Sequence, residues 1–140
     1  MLCLFQETKK NHYLITLRKI LKMEKPEIIK QELMQFSGTI NYYKNPFGIK
    51  YTDGIKYLAE SCQSYWLIDA VASWQLDKKV KKQDFQVFKL NVNSDKSAIL
   101  TIEDGNYKIV ANQEIEFTDF PLDEIEMWFA NKVLYLPSEH

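Results

Sequence analysis

Asp69 is an acid set inside an otherwise apolar, aromatic stretch, residues 64–75 (SYWLIDAVASWQ). A carboxylate is costly to desolvate unless it faces water or finds a partner, so this placement needs a reason. On a helix advancing about 100° per residue, Tyr65, Trp66, Asp69 and Ser73 share one face, while Leu67, Ile68, Val71 and Trp74 span the broad apolar side. With Asp53 and Tyr57 from the preceding segment, the polar face predicts a shallow pocket walled by Tyr57, Tyr65 and Trp66. In such a pocket Asp69 would accept hydrogen bonds from a ligand, or act as a general acid or base if burial raised its pKa. The competing reading is structural: Asp69 and Ser73 form the solvent face of the third helix, or Asp69 caps a loop backbone.

Other chemistries lack their residues. The two histidines, His12 and His140, lie in the basic leader and at the terminus, which excludes a Ser–His or Cys–His nucleophile inside the fold. Cys3 and Cys62 have no metal-like spacing, and the default setting for them is the reduced cytoplasm. Glycines 38, 48, 54 and 105 are scattered and form no phosphate loop. Arg18 is the sole arginine, so the body of the chain has no guanidinium fork for phosphate or guanine. Asp119, Asp123, Glu124 and Glu126 could ligate a metal, but their spacing fits the capping of a helix better. Lys78, Lys79, Lys81 and Lys82 could touch the phosphates of a single strand beside Tyr42 and Tyr43; a solvated loop is the plainer reading. Tyr42, Tyr43, Tyr51 and Tyr57 either fill the core edge or compose a protein interface. No cofactor is implied.

At 140 residues, 46% hydrophobic and 26% charged, the chain fits one domain with one core. No apolar run approaches the roughly 20 residues that cross a bilayer. Residues 1–22 set Lys9, Lys10, Arg18, Lys19 and Lys22 against Glu7 alone, without the order of a secretory signal. They read as a basic leader, either an over-extended gene start before Met23 or a short surface helix from Tyr13 to Lys22. The domain proper is then 23–140. Its last third, 91–140, holds three lysines and ten acids, an acidic surface that repels nucleic acid and attracts a basic partner.

The elements that position these residues follow from periodicity. A first helix spans 26–35 with Ile29, Leu33 and Phe36 inward, and 39–50 is irregular, with turn signals at Asn45-Pro46 and Gly48. A second helix starts at Thr52, whose hydroxyl caps it, with Asp53 in the first turn; after a break at 61–64 the third runs from Tyr65 to Leu76. The charged connection 77–84 precedes three alternating strands, around Phe88–Val92, Leu100–Glu103 and Tyr107–Phe117, with Asp104-Gly105 as a hairpin turn. Thr118 or Asp119 then caps a last helix with Pro121 in its first turn, Leu122, Ile125 and Phe129 as its stripe and Asn131 at its end. Lys132–Leu136 makes a final strand. The expected fold is α+β in the order α-α-α-β-β-β-α-β, helices packed on one face of a small, mostly antiparallel sheet.

The strings 51–60 (YTDGIKYLAE), 65–73 (YWLIDAVAS), 85–90 (FQVFKL), 114–124 (EIEFTDFPLDE) and 134–139 (LYLPSE) resemble a family of small uncharacterised bacterial proteins. The resemblance covers about 35–139; it departs from the family at Phe88, where tryptophan is expected. It implies a bacterial, including cyanobacterial, origin near plasmid or phage-like genes, supports Met23 as the start, and brings no catalytic residue.

The function expected is therefore a non-catalytic binding or accessory protein, monomeric or weakly self-associating, whose partner surface is Tyr42, Tyr43, Asp53, Tyr57, Tyr65, Trp66, Asp69 and Ser73. The alternatives are a small-molecule or nucleotide-processing enzyme using Asp69 and Asp53, and a weak single-stranded nucleic-acid binder.

Overall fold

The computed structural model describes Tyr13, Leu14 and residues 26–140. The basic leader otherwise lies outside the described residues.

Helix α1 (Pro26–Met34) begins on a proline, which fixes φ where no intrahelical N–H bond is needed, and buries Ile29 and Leu33. The segment expected to be irregular contains a hairpin: β1 (Tyr42–Lys44) pairs antiparallel with β2 (Lys50–Thr52). Its turn forms at the anticipated Asn45-Pro46 and Gly48, the glycine supplying φ +99°. Helix α2 (Asp53–Ser61) starts as expected, with the Thr52 hydroxyl accepting from Ile55 N at 3.4 Å. Helix α3 (Tyr65–Trp74) follows the break and buries Leu67, Ile68, Val71 and Ala72. The charged connection holds one helical turn, α4 (Lys78–Lys81), because the Asp77 carboxylate caps Lys79 N and Val80 N and Val80 is fully buried.

Strands β3 (Phe85–Val92), β4 (Ala98–Glu103) and β5 (Ile109–Ile115) form the anticipated meander. The Asp104-Gly105 turn is present, but Tyr107, not the glycine, takes the left-handed conformation, while the Asp104 carboxylate accepts from Asn106 N and Lys108 N. Chain 124–130 corrects the expectation of a last helix. It is strand β6 (Glu124–Ala130), paired antiparallel with β3 and, through a two-residue turn, with β7 (Val133–Tyr135). Leu122, Ile125 and Phe129 imitate a helical stripe. Ile125, Met127 and Phe129 also alternate with Glu126 and Trp128, and burial on β3 favours that period of two. Thr118 accordingly caps no helix: it is buried and its hydroxyl accepts from Phe120 N in a loop. A short 3-10 turn, Pro137–Glu139, follows β7.

The element order is thus α-β-β-α-α-α-β-β-β-β-β, and the class remains α+β. One sheet holds all seven strands in the order β1-β2-β7-β6-β3-β4-β5, parallel only between β2 and β7. Phe88, Leu90, Leu100, Ile102, Met127, Phe129 and Leu134 project from one face into a core shared with Ile55, Leu58, Leu67 and Val71 of the helices. Trp74 Nε1 reaches across that layer to Gln113 Oε1 of β5 at 2.8 Å. Phe85, Lys89, Glu124, Glu126 and Trp128 lie on the opposite face. No described helix is long and apolar enough to cross a membrane.

Candidate functional site

Asp53 and Asp69, the two carboxylates of the expected pocket, have separate neighbourhoods. Asp53 accepts from Ile40 N (2.9 Å), Asn41 N (3.2 Å), Asn41 Nδ2 (3.3 Å) and the Tyr43 hydroxyl (3.0 Å). Its own N–H donates to the Thr39 hydroxyl. These donors, the Ile40 N–H foremost, hold its carboxyl down at about 2. Asp53 therefore fastens segment 39–43 to the start of α2. The Tyr43 phenol, which donates to that carboxylate, is pushed up in turn.

Asp69 is exposed on α3 and accepts from Asn45 Nδ2 at 2.8 Å. Asn45 is only 4% exposed, and its Oδ1 accepts from Phe47 N at 2.6 Å. The acid of the aromatic helix thus holds the amide that builds the β1–β2 turn. Ser73 turns its hydroxyl back onto Ala70 O, as helix serines commonly do.

The tyrosines divide between both sides of the sheet. Tyr43 stacks on Tyr51 with centroids 5.5 Å apart, and the Lys56 ammonium lies 4.4 Å over the Tyr43 ring. Tyr65 donates to Glu60 Oε1; burial, that carboxylate and the phenols of Tyr51 and Tyr43 all raise its pKa. Tyr57 packs on Phe36, and Trp66 is half-buried against the core. Tyr42, one residue from Tyr43, points to the opposite side, where with Thr39, Tyr135 and His140 it lines a cleft of about 350 Å³.

That opposite face carries a feature the sequence reading missed. Phe85, Trp128, Tyr135 and His140 form a continuous aromatic row: Trp128 meets Phe85 edge-on at 5.3 Å and His140 at 5.4 Å, and Tyr135 stacks with His140 at 6.0 Å. Trp128 Nε1 donates to Glu126 Oε2 at 3.0 Å. Beside the row, Lys89 is clasped by Glu103 (3.1 Å) and Glu126 (3.7 Å), which raises its pKa. Glu114 and Glu124 extend the acidic ground on the same face and are exposed. The signal was present as the alternation of Trp128 with Met127 and Phe129, once 124–130 is taken as a strand.

Two further clefts, of about 690 and 770 Å³, contain none of the eight expected residues. The first lies between α1 and strands β3 and β6, and the second where the β1–β2 turn meets the ends of α3 and β6. Among the described residues no group of three His, Cys, Asp or Glu side chains could hold a metal, and no buried side-chain nitrogen or oxygen lacks a partner. Both candidate acids are engaged by the chain itself.

The sequence profile of a family of unknown function, DUF6876, matches residues 27–140, and the chain belongs to that family. No curated protein and no solved structure matches it.

Proposed function

We propose that this member of the DUF6876 family is a non-catalytic protein-binding domain that docks a basic partner on the face of its sheet that carries Trp128 and Tyr135. The observation that carries the reading is the aromatic row Phe85–Trp128–Tyr135–His140 on the same face of the sheet as the exposed carboxylates of Glu114 and Glu124. Aromatic groups give large contact area at low entropy cost, and the carboxylates steer a cationic partner. Of the expected partner residues, Tyr42 falls on this face; Tyr43, Tyr57, Tyr65 and Trp66 belong to the helical side and Asp53, Asp69 and Ser73 to the framework. A bacterial, mobile-element setting in the cytoplasm goes with the reading, on the strength of the strings quoted above.

The runner-up, an enzyme acting through Asp69 and Asp53, has less support because each carboxylate is committed to a neighbouring amide or backbone N–H. Capture from the cell of origin on the immobilised chain tests the proposal. Basic proteins retained by the native chain and released by a Glu114→Lys, Glu124→Lys variant, or by Trp128→Ser, are expected. Retention that both variants leave unchanged, or no retention above a blocked resin, overturns it.

A further inference from the structure

The cleft of about 770 Å³ has a different character from the acidic face. Its floor is apolar, built by Ile49, Ala72 and Phe129 with the buried amide of Gln86, and that amide is satisfied by Gln75 and by Val80 O. Two exposed side chains stand at its mouth: Phe47, 72% exposed in the β1–β2 turn, and Leu76, 87% exposed just beyond α3. Two bulky apolar groups held in water on either side of an apolar floor gain most by closing over a third apolar group.

The rim sets the charge of what enters. Lys81 and Lys132 line the cleft against the single acid Asp84, and Lys78, Lys79 and Lys82 continue the positive surface along α4. Asp77 is taken up by the α4 N-cap, and Asp104, which shares a neighbouring cleft with Lys79 and Lys82, accepts from Asn106 N and Lys108 N. Among the described residues none of these five ammonium groups forms an ion pair. The cleft is thus apolar at the bottom and cationic at the edge, on a chain whose other exposed face is anionic.

We propose that this cleft docks an acidic peptide segment anchored by one bulky aliphatic side chain. The anchor lies on Ile49 and Phe129 between Phe47 and Leu76, and flanking carboxylates meet Lys81 and Lys132. An extended segment suits it better than a small ligand, because Phe47 and Leu76 protrude beyond the floor. The site is independent of the acidic face and would let one domain join two partners of opposite charge.

Titration of the full chain, followed by backbone amide NMR, tests this with a synthetic hexapeptide that has a central leucine flanked by glutamates. Saturable shifts centred on Phe47, Gly48, Leu76 and Lys132 are expected, with binding that weakens as salt is raised. Leu76→Ser and the pair Lys81→Glu, Lys132→Glu should each weaken it about tenfold or more, a loss typical of one central contact. Leu76 and both lysines are exposed, so these variants keep the fold, which thermal melting verifies. A hexapeptide flanked by lysines, or one with serine in place of the leucine, should not bind. The proposal is overturned by no shift at millimolar peptide, by equal binding of the lysine-flanked peptide, or by variants that bind as well as the native chain. Shifts at these residues with a thymidine oligonucleotide but not with the acidic peptide also overturn it, in favour of nucleic acid.

Discussion

Glu139 lays its carboxylate over Gly54, 85 residues earlier in the chain, so closely that a Cβ at position 54 would stand 2.6 Å from Oε1. The same carboxylate accepts from Gly54 N (3.2 Å), Thr52 Oγ1 (2.7 Å) and Leu136 N (2.9 Å). An anion at the N-terminus of α2 answers both its orphan N–H groups and its dipole. One residue of the last turn thereby ties β7 to the start of the helix that follows β2.

Gly54→Ala should cost about 1–3 kcal/mol, the usual penalty for forcing a methyl into filled space. The cost should shrink in a Glu139→Ala background without vanishing, since Leu136 Cδ1 also stands 2.7 Å from the added Cβ. Urea unfolding of the four members of that cycle measures the coupling; strictly additive losses would mean that Glu139 and Gly54 do not share the site.

Asp53 makes stability depend on acid. Its folded pKa, about 2, lies below the ordinary 3.8, so the folded chain holds this proton less readily than the unfolded one. The stabilisation is complete above about pH 4 and fades as pH falls towards 2. Asp53→Asn should flatten that part of the acid-denaturation profile and leave a smaller slope from Asp95, which its bonds to Ser97 also lower. An unchanged acid slope in the variant would show that segment 39–43 does not rest on the ionised carboxylate.

Asp69→Ala should destabilise by about 0.5–1.5 kcal/mol through the stranded Asn45 amide, and Asp69→Asn by less, because its carbonyl oxygen still accepts from Asn45 Nδ2. Chemical denaturation separates the two. Equal losses would point to the charge and not the hydrogen bond as what Asp69 provides.

What could be read from the chain divides along the range of the forces involved. Thr52 and Asp53 at the start of α2, the apolar side of α3 and the alternation of β3 and β4 are local, and each was legible. Residues 124–130 satisfy two periodicities at once; pairing with β3, more than 30 positions away, decides between them. The short strands β1 and β2 were hidden because three residues carry almost no pattern, and β2 exists through its pairing with β7. The site suffered the same limit. A helical wheel sets Asp69 on the face of Tyr65 and Ser73, yet its partner Asn45 lies 24 residues upstream, and the aromatic row assembles from β3, β6, β7 and the last residue.

Cys62 should be inert in the native protein. Burial pushes its thiol up to about 12 from 9.0, so at pH 8 the thiolate fraction is about a thousandfold lower than in the unfolded chain. Alkylation at pH 8, read at the Cys62 peptide by mass spectrometry, should therefore track global unfolding as denaturant is added. Rapid labelling in native buffer would show that the core beneath α2 opens locally.

The β6–β7 turn offers a gain in stability. Asn131 and Lys132 both have positive φ, 53° and 63°, which makes this a two-residue turn of the twist that suits a hairpin. Asparagine tolerates that conformation; lysine pays for its Cβ, at about 1–2 kcal/mol in the left-handed region. Glycine there removes the strain and returns about 0.4–1 kcal/mol as added freedom of the unfolded chain. Lys132→Gly should then stabilise the fold by about 0.5–1 kcal/mol, seen as a higher urea midpoint at unchanged slope. Because Lys132 also edges the cationic cleft, the same variant should bind the glutamate-flanked peptide less tightly while melting later. Tighter binding in step with the added stability would mean that the lysine charge plays no part at the rim.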